Sequence, residues 1–493
     1  MKKFILLFFS SLSAVATMAQ SFEFTHGEES DLNMYQASAQ MIAPGASEGQ
    51  FISIEPRLSA IGRTKSISLR LVDQNWNGKK SVEIPNTENC NIAHHWLIGN
   101  TLHMILKKIS DGEFLIRHVS TDANTMEIVD DEQLERVKLG KKDWGSCIVK
   151  TSQSGQYIGV AYTLYNSKSD EYRSMAIMFD NNMKRIWDNP LTYPSISQML
   201  TTDKGEMVAS TLAWANEEKT ATQVFFNLAD GNGVKTANFV TNDNIERFTL
   251  LNFKGSNVLA SAMETRQQGV INKETVVSAI HVYVMDIANN TLVNDTRHNF
   301  ADNEVRTLYN LAPSALVKSN EIDCLNIIDK LATPDGAVLL FQRNWKTEVR
   351  DAKTGMVQSE SHHSMGLVMI SLDMDGYVVW SRCVMQNNSN GKKPRVGSDL
   401  FLHNDYICLL TNESDKDPSE YDPTTPANKG SFLTYKANGA LSLYYFDAQG
   451  NGAKKQLAVK NMNILHTPAI KSGDNYIMLA GGIKPYIGVL NIR

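Results

Sequence analysis

Residues 366–380 read Gly-Leu-Val-Met-Ile-Ser-Leu-Asp-Met-Asp-Gly-Tyr-Val-Val-Trp, and this stretch shows the pattern that decides the fold. An apolar run is followed by a polar turn that starts at Asp373, and then by a second, shorter apolar run. Asp-Gly and Asn-containing turns tolerate the positive φ angles that tight hairpins require. The stretch therefore predicts a β-hairpin that joins a buried strand to an outer strand. Related stretches occur at residues 174–187, 223–233, 281–291 and 441–452.

A second pattern, a tight polar turn followed by a strongly apolar run, precedes each of these hairpins, as at residues 154–162 and 334–341. The apolar runs centre near residues 53, 104, 160, 210, 260, 339, 408 and 478, so successive centres are 51, 56, 50, 50, 79, 69 and 70 residues apart. Units of about 50 residues with four strands are typical of β-propeller blades. We therefore predict an all-β fold, a β-propeller of seven to eight four-stranded blades, with eight favoured. The alternatives are a seven-bladed ring with one irregular unit and two stacked β domains.

The last unit shows only three strands, around residues 467–470, 476–479 and 486–492. An N-terminal segment such as residues 22–25 is expected to supply the missing outer strand. A ring closed in this way leaves no exposed sheet edge to template aggregation.

Two units carry an Asp followed seven residues later by a Trp, namely Asp180 with Trp187 and Asp373 with Trp380. This spacing resembles the tryptophan-bearing repeats of quinoprotein-like propellers. Those repeats also contain an Ala, a Thr and a Gly at set positions, which most units here lack. The resemblance therefore implies the propeller architecture and does not imply a quinone cofactor.

The first residues have the organisation of a signal peptide. Lys2 and Lys3 precede an apolar run over residues 4–15, and Thr17 and Ala19 place small residues before a cleavage site at Gln20. A second cleavage site follows residues 14–16. The leader resembles those of exported bacterial proteins of the Bacteroides type. We expect a signal peptide at 1–19 and a single propeller domain at 20–493, periplasmic or secreted. No cysteine lies near the cleavage site, so we do not expect a lipoprotein, and no later apolar run predicts a membrane span.

The composition of the 493 residues excludes some partners. There are 48 Lys and Arg against 53 Asp and Glu, and no basic cluster predicts nucleic-acid binding.

The five cysteines are an odd number and are too widely spaced for a metal cluster. We expect them to be small buried apolar residues, with one disulfide as the alternative. They are Cys90, Cys147, Cys324, Cys383 and Cys408.

Units five to seven carry long insertions at residues 264–277, 302–320, 344–364 and 412–431. In a propeller, the loops from the second to the third strand of each blade share one face with the segments between blades. All four insertions fall on that face, and residues 304–311 within them favour a short helix. Long loops in compact domains are frequently functional. We therefore predict a binding surface here, with Arg343, Trp345, His362, His363 and Tyr421 as its contact residues.

Motifs for catalysis or metal binding are weak. Gly45-Ala-Ser-Glu-Gly matches G-x-S-x-G, but a strand follows it rather than the helix that a nucleophile elbow requires. The adjacent histidines His94 and His95 would face opposite sides of a strand. The acidic loop with Asp415, Asp417 and Asp422 is a weak calcium candidate that departs from the EF-hand pattern. We expect no other cofactor.

Four carboxylates, Asp143, Glu246, Asp323 and Asp399, are each predicted to lie near the start of an innermost strand, and we expect them at the rim of the central channel. Glycoside hydrolases use two such carboxylates. The favoured function is nevertheless an exported, non-catalytic propeller that presents its loop-rich face to an envelope protein or a glycan. The alternative is a carbohydrate-active enzyme that uses Asp323 and Asp399. A structural subunit of an envelope complex would instead show a broad apolar patch.

Overall fold

The computed structural model describes residues 22–28, 40–59, 62–110, 112–192, 196–216, 221–268, 274–309, 311, 316–317, 319–350, 357–390, 398–412, 441–458, 470–472, 475–481 and 485–492. It is 72% strand and 2% helix, and its strands form eight blades. This confirms the predicted β-propeller and its eight-bladed form. No helix within the described ranges is long and apolar enough to cross a membrane.

The first four blades follow the chain without interruption, and each pairs its strands in sequence order. Blade 1 contains β2 (Met41–Pro44), β3 (Gln50–Leu58), β4 (Thr64–Asp73) and β5 (Gly78–Ile84). Blade 2 contains β6 (Asn91–Ile98), β7 (Thr101–Ser110), β8 (Glu113–Asp122) and β9 (Ile128–Lys138). Blade 3 contains β10 (Trp144–Thr151), β11 (Tyr157–Asn166), β12 (Glu171–Asp180) and β13 (Arg185–Pro190). Blade 4 contains β14 (Gln198–Thr201), β15 (Met207–Trp214), β16 (Thr222–Asp230) and β17 (Gly233–Thr241).

The next three blades have longer strands or longer connections. Blade 5 contains β18 (Ile245–Lys254), β19 (Asn257–Gln268), β20 (Glu274–Asp286) and β21 (Thr291–His298). Helix α1 (Asp302–Leu308) and the short strand β22 (Ile322–Asp323), which pairs with β20, lead to blade 6. Blade 6 contains β23 (Leu325–Thr333), β24 (Gly336–Arg350), β25 (Val357–Asp373) and β26 (Val378–Asn390). Blade 7 contains β27 (Ser398–His403), β28 (Tyr406–Asn412), β29 (Leu441–Phe446) and β30 (Gly452–Ala458).

Blade 8 closes the ring with both ends of the described chain. Its inner strands are β31 (Ile470–Ser472), β32 (Asn475–Gly481) and β33 (Pro485–Ile492), and its outer strand is β1 (Phe22–His26). β1 pairs antiparallel with β33, from Phe22 opposite Ile492 to His26 opposite Gly488. The prediction that an N-terminal segment completes the last blade is confirmed.

The apolar core lies between the blades. Among the described residues there are eight clusters of buried apolar side chains, one between each pair of adjacent blades. Between blades 4 and 5, for example, Phe226 packs on Phe248 with ring centroids 6.0 Å apart. The second strand of each blade alternates its side chains between two such clusters, which explains why its middle part is mostly apolar.

Because consecutive strands are antiparallel, their connections alternate between the two faces of the ring. The connections from the second to the third strand, and from blade to blade, lie on what we call the loop-bearing face. The other connections lie on the tight-turn face. There the carboxylate of Asp373 accepts hydrogen bonds from the N–H groups of Asp375 (3.1 Å) and Tyr377 (2.8 Å). The same pair of bonds recurs at Asp73, Asp180 and Asp447.

The tryptophans of the Asp–Trp pattern connect neighbouring blades. Trp187 of blade 3 donates its indole N–H to the carbonyl of Gly205 in blade 4 (2.9 Å). Trp380 of blade 6 donates to the carbonyl of Ala448 in blade 7 (3.1 Å). The ring of Trp380 lies so close to Gly450 that an added Cβ would be 2.5 Å from its Cγ. The pattern is therefore a structural contact between blades.

The expected bounds of the helix and the expected loop structure of two insertions need correction. Helix α1 covers Asp302–Leu308 rather than 304–311. The insertions at 264–277 and 344–364 are largely continuations of β19–β20 and β24–β25 instead of irregular loops, because both pairs of strands stay in antiparallel register past the blade. The remainder of the insertion at 412–431 beyond residue 412 lies outside the described residues.

None of the five cysteines, all of which the structure describes, forms a disulfide. Cys90, Cys147 and Cys408 are buried as predicted, and Cys383 is half-buried. Cys324 is exposed, because it occupies the turn between β22 and β23 with a φ of 54°. The expectation of a buried side chain is therefore wrong for Cys324.

Candidate functional site

The two longest strands among the described residues, β24 and β25, extend blade 6 beyond the ring on the loop-bearing face. The innermost strand β23 starts at Leu325, which pairs with Arg343 of β24. From there β24 and β25 stay paired as far as Arg350, opposite Val357, and β26 stays paired with β25 as far as Asn390, opposite His362. At 3.3–3.4 Å per residue, this extension is about 20 Å long. We call residues 344–350 and 357–364 the blade 6 arm.

Five side chains meet at the base of this arm. The Arg343 guanidinium makes two hydrogen bonds to the Asp323 carboxylate, Nε to Oδ1 at 2.6 Å and Nη2 to Oδ2 at 2.9 Å. The same guanidinium lies 4.4 Å from the ring centroids of both Tyr309 and Trp345. Trp345 in turn stacks on His363, with centroids 4.9 Å apart and planes at 17°. We call Tyr309, Asp323, Arg343, Trp345 and His363 the rim cluster.

The strand pattern explains why these residues meet. Arg343 and Trp345 are two residues apart on β24, so their side chains lie on the same face of the blade. His363 is the cross-strand partner of Trp345. Asp323 lies on β22, whose pairing with β20 of blade 5 brings it to the edge of blade 6. The Tyr309 hydroxyl accepts the N–H of Asp323 at 3.2 Å, which links the end of α1 to the cluster.

The ion pair sets the charge state of the rim cluster. Burial opposes ionisation of Asp323, but the hydrogen bonds and charge of Arg343 outweigh it and lower the pKa of the carboxyl group. Burial likewise opposes the charge on Arg343, and the Asp323 hydrogen bonds outweigh it and raise the pKa of the guanidinium. Burial raises the pKa of Tyr309 to about 12. At neutral pH the cluster therefore contains a fixed ion pair and a neutral phenol.

The four predicted channel carboxylates have different surroundings. Asp143 accepts the N–H groups of Gly140 (2.6 Å) and Ser167 (2.8 Å), which joins two loops and lowers the pKa of Asp143. Glu246 is exposed, and Asp399 is buried on β27 opposite Leu410. Asp323 is held in the rim cluster.

Some predicted contact residues are only partly described. The backbone of His362 lies on β25 opposite Lys346 and Asn390, and its side chain lies outside the described part of the structure. Tyr421 also lies outside the described residues. The same is true of the calcium candidates Asp415, Asp417 and Asp422.

An aromatic ladder on the loop-bearing face of blade 3 was missing from the sequence prediction. Trp144, Tyr165 and Tyr172 are cross-strand neighbours on β10, β11 and β12. Tyr165 lies 5.9 Å from Trp144 and 4.8 Å from Tyr172 between ring centroids. Trp144 is 41% exposed and Tyr172 is 46% exposed. Each residue is unremarkable in its own strand, and only the strand register brings the three rings together.

The sequence analysis also did not predict several contacts between polar side chains within and between the blades. In blade 2, His103 Nδ1 lies 3.0 Å from His118 Nε2, and both rings are buried. At the channel, Lys330 of blade 6 donates to the carbonyl of Leu250 in blade 5 (2.6 Å), and burial followed by the nearby charge of Lys150 lowers the pKa of Lys330 to about 8. His95 points its Nε2 at the Ile42 carbonyl (3.3 Å). These contacts join different strands and have no spacing motif.

No family model matches the chain, and no curated protein matches it. Solved structures that it resembles include the β-propeller domain of the Trilobed protease from Pyrococcus furiosus, with 10% identity and a TM-score of 0.34 over 80% of this chain and 91% of that one. A Synechocystis apocarotenoid oxygenase mutant shows 7% identity and a TM-score of 0.33 over 91% and 95%. An acylaminoacyl peptidase from Pyrococcus horikoshii shows 10% identity and a TM-score of 0.35 over 79% and 49%. These are resemblances of architecture.

Proposed function

We propose that this chain is an exported, non-catalytic β-propeller that binds a protein partner through the rim cluster and the blade 6 arm. The observation that carries the proposal is the stack of Arg343 and Trp345, which is fixed by the bidentate ion pair with Asp323. Trp, Tyr and Arg are the residue types that dominate the binding energy of protein interfaces.

The rim cluster is ordered before any partner binds. Two hydrogen bonds with Asp323 and contacts with two aromatic rings restrict the Arg343 side chain to one rotamer. Ordering a long side chain on binding costs about 0.5–1.5 kcal/mol, so preorganisation raises affinity by removing this cost. The arm adds a projecting ladder that a partner can contact along its length.

The packing of Trp345 favours a protein over a sugar at this place. Its indole already contacts two planar groups of the same chain, the Arg343 guanidinium at 4.4 Å and the His363 ring at 4.9 Å. These contacts leave less of the ring face for stacking on a pyranose. The indole edge and the guanidinium are then the groups that a protein partner would meet.

The state of Asp323 favours binding over hydrolysis. A general acid must be protonated when the reaction starts. Asp323 is ionised by its pairing with Arg343, and both of its oxygens accept hydrogen bonds. These features argue against Asp323 as the general acid of the alternative, and the bonds to Arg343 occupy both of the oxygens that a nucleophile or base would use.

A glycan is the second candidate ligand, and the aromatic ladder of blade 3 favours it. Trp144 and Tyr172 expose large parts of adjacent rings on the loop-bearing face. Exposed aromatic side chains grouped in this way are typical of binding surfaces. The two candidates therefore use different blades of the same face and are separable by mutation.

The test is affinity capture from the native envelope together with glycan-array screening, using wild type, Trp345→Ala, Trp144→Ala and Tyr377→Ala. Tyr377 is the matched control, because it is 57% exposed on the tight-turn face of blade 6. We expect the protein captured by wild type and Tyr377→Ala to bind Trp345→Ala at least tenfold more weakly, a loss of about 1.4 kcal/mol. Equal binding by the wild type and all three variants would refute the proposal, and selective loss of a glycan by Trp144→Ala would support the second candidate.

A further inference from the structure

Three potential metal ligands converge between blades 4 and 5, away from the rim cluster. Asp243 lies in the connection from β17 to β18, Glu264 lies on β19, and His281 lies on β20. Ligand atoms of all three lie within 4.8 Å of one another. The His281 side chain is almost completely buried, whereas Asp243 and Glu264 are partly exposed. We call these residues the seam site.

The distances between the ligand atoms leave little change to make for a small divalent cation. His281 Nε2 is 3.0 Å from Glu264 Oε2 and 3.8 Å from Asp243 Oδ2. Zinc binds imidazole nitrogen and carboxylate oxygen at about 2.0–2.2 Å, which places two tetrahedral ligands about 3.4 Å apart. The two observed separations lie on either side of this value.

Outer groups orient each ligand as they do in metal sites. His281 Nδ1 lies 3.1 Å from the carboxylate of Asp295, and in the neutral ring with its proton on Nδ1 the Nε2 lone pair is directed at Glu264 and Asp243. A carboxylate–histidine pair of this kind is the usual support for a metal-bound imidazole. Asp243 accepts the Thr241 hydroxyl at 2.9 Å. Glu264 accepts Arg297 Nε at 2.7 Å and the Ser278 hydroxyl at 2.8 Å.

The charges around the seam site also favour a cation. Asp243, Glu264 and Asp295 bring three negative charges near one guanidinium, that of Arg297. The fully buried ring of Tyr283 stacks on His281, with centroids 5.7 Å apart. Its hydroxyl lies beside Thr241.

We propose that the seam site binds a zinc-type divalent cation through His281 Nε2, Glu264 and Asp243, and so joins blade 4 to blade 5. An imidazole with two carboxylates suits zinc and similar first-row metals better than calcium or magnesium, which prefer oxygen ligands alone. Three protein ligands leave a fourth position for water. The partial exposure of Asp243 gives the ion a path from solvent.

The experiment is isothermal titration of the chelator-treated full chain with zinc chloride at pH 8. The variants are Asp243→Asn, which loses a ligand, and Asp295→Asn, which loses the support of His281. The matched control is His298→Gln, because His298 pairs with Glu304 at 3.1 Å on the same blade, outside the seam site. Cobalt chloride serves as a spectroscopic probe, since tetrahedral cobalt has strong visible absorption.

We expect wild type and His298→Gln to bind one zinc ion per chain with equal affinity. We expect Asp243→Asn and Asp295→Asn to bind about 10–100-fold more weakly. Zinc binding that is unchanged in both variants would place the ion elsewhere, for example at the cysteines, and would overturn the proposal. Absence of zinc binding by the wild type would leave the seam site as an ion-pair contact only, and would equally overturn it. Circular dichroism of each variant confirms that the fold is retained.

Discussion

Replacing Gly450 by Ala tests the contact between blades 6 and 7 that the Asp–Trp pattern provides. Gly450 has a φ of 76°, a conformation that costs an L-residue about 1 kcal/mol or more. The new Cβ would lie 2.5 Å from Cγ and 2.8 Å from Cδ1 of Trp380. The Trp380 ring is buried and its N–H is bonded to Ala448, so it cannot move aside without losing that bond. Overpacking of this kind costs about 1–3 kcal/mol more, so the expected total is about 2–4 kcal/mol.

The control is Gly155→Ala. Gly155 has a φ of 72°, but no atom lies within 4 Å of an added Cβ, so only the conformational cost applies. Urea unfolding of both variants, followed by tryptophan fluorescence, measures the difference. We expect Gly450→Ala to be less stable than Gly155→Ala by about 1–3 kcal/mol, and the further change Trp380→Leu to remove much of that difference. Equal unfolding midpoints for the two glycine variants would refute the interblade contact.

Three further predictions concern charge and processing. Burial lowers the pKa values of His94 and His103 to about 4, so the unfolded chain binds protons first and the free energy of unfolding falls as the pH drops from about 6.5 towards 4. Each histidine contributes up to about 3 kcal/mol to this loss of stability. The variants His94→Gln and His103→Gln should therefore flatten the curve of urea midpoint against pH, and an unchanged curve would contradict this prediction. Asp323→Asn leaves the guanidinium of Arg343 without its counter-charge and should destabilise the chain by about 1–3 kcal/mol in thermal or urea unfolding, and a change below about 0.5 kcal/mol would argue against a fixed ion pair. Material exported by the native host should begin at or near Gln20 by mass spectrometry, and an intact N-terminus would contradict the proposed signal peptide.

The repeat was readable from the sequence because every blade buries the same strands. Each second strand packs against two neighbouring blades and is therefore mostly apolar in its middle part, and the recurrence of this apolar run about every 50 residues predicted the eight blades. The closure of the ring by β1 could be predicted because the last unit of the sequence shows only three of the four strands of a blade. The Asp–Trp spacing marked turns that hydrogen bonds confirm at Asp180 and Asp373.

The blade 6 arm was not predicted because burial no longer dictates its residue pattern. Residues 344–350 leave the ring and keep only the β24–β25 ladder, so their sequence does not alternate as a half-buried strand does. Backbone pairing in such a segment leaves no signal in the residue types. A polar extended strand and a loop are then alike in sequence.

The sites depend on register, which the sequence does not encode locally. Arg343 and Trp345 were predicted as contact residues, but the partnership of Arg343 with Asp323 arises from β22 joining blade 5, and that of Trp345 with His363 from cross-strand pairing. The ligands of the seam site come from three elements with no fixed spacing. Side chains that meet in this way can be recognised as one site only when the pairing register of the strands is known.

The most direct test of the central claim is hydrogen–deuterium exchange of the chain with and without its captured protein partner. The account predicts slower exchange on binding in peptides that cover residues 343–350 and 357–364, and no change in the tight-turn peptide 373–377 of the same blade. Protection confined to the tight-turn face, or to blade 3 alone, would contradict the assignment of the protein-binding surface to the rim cluster and the blade 6 arm.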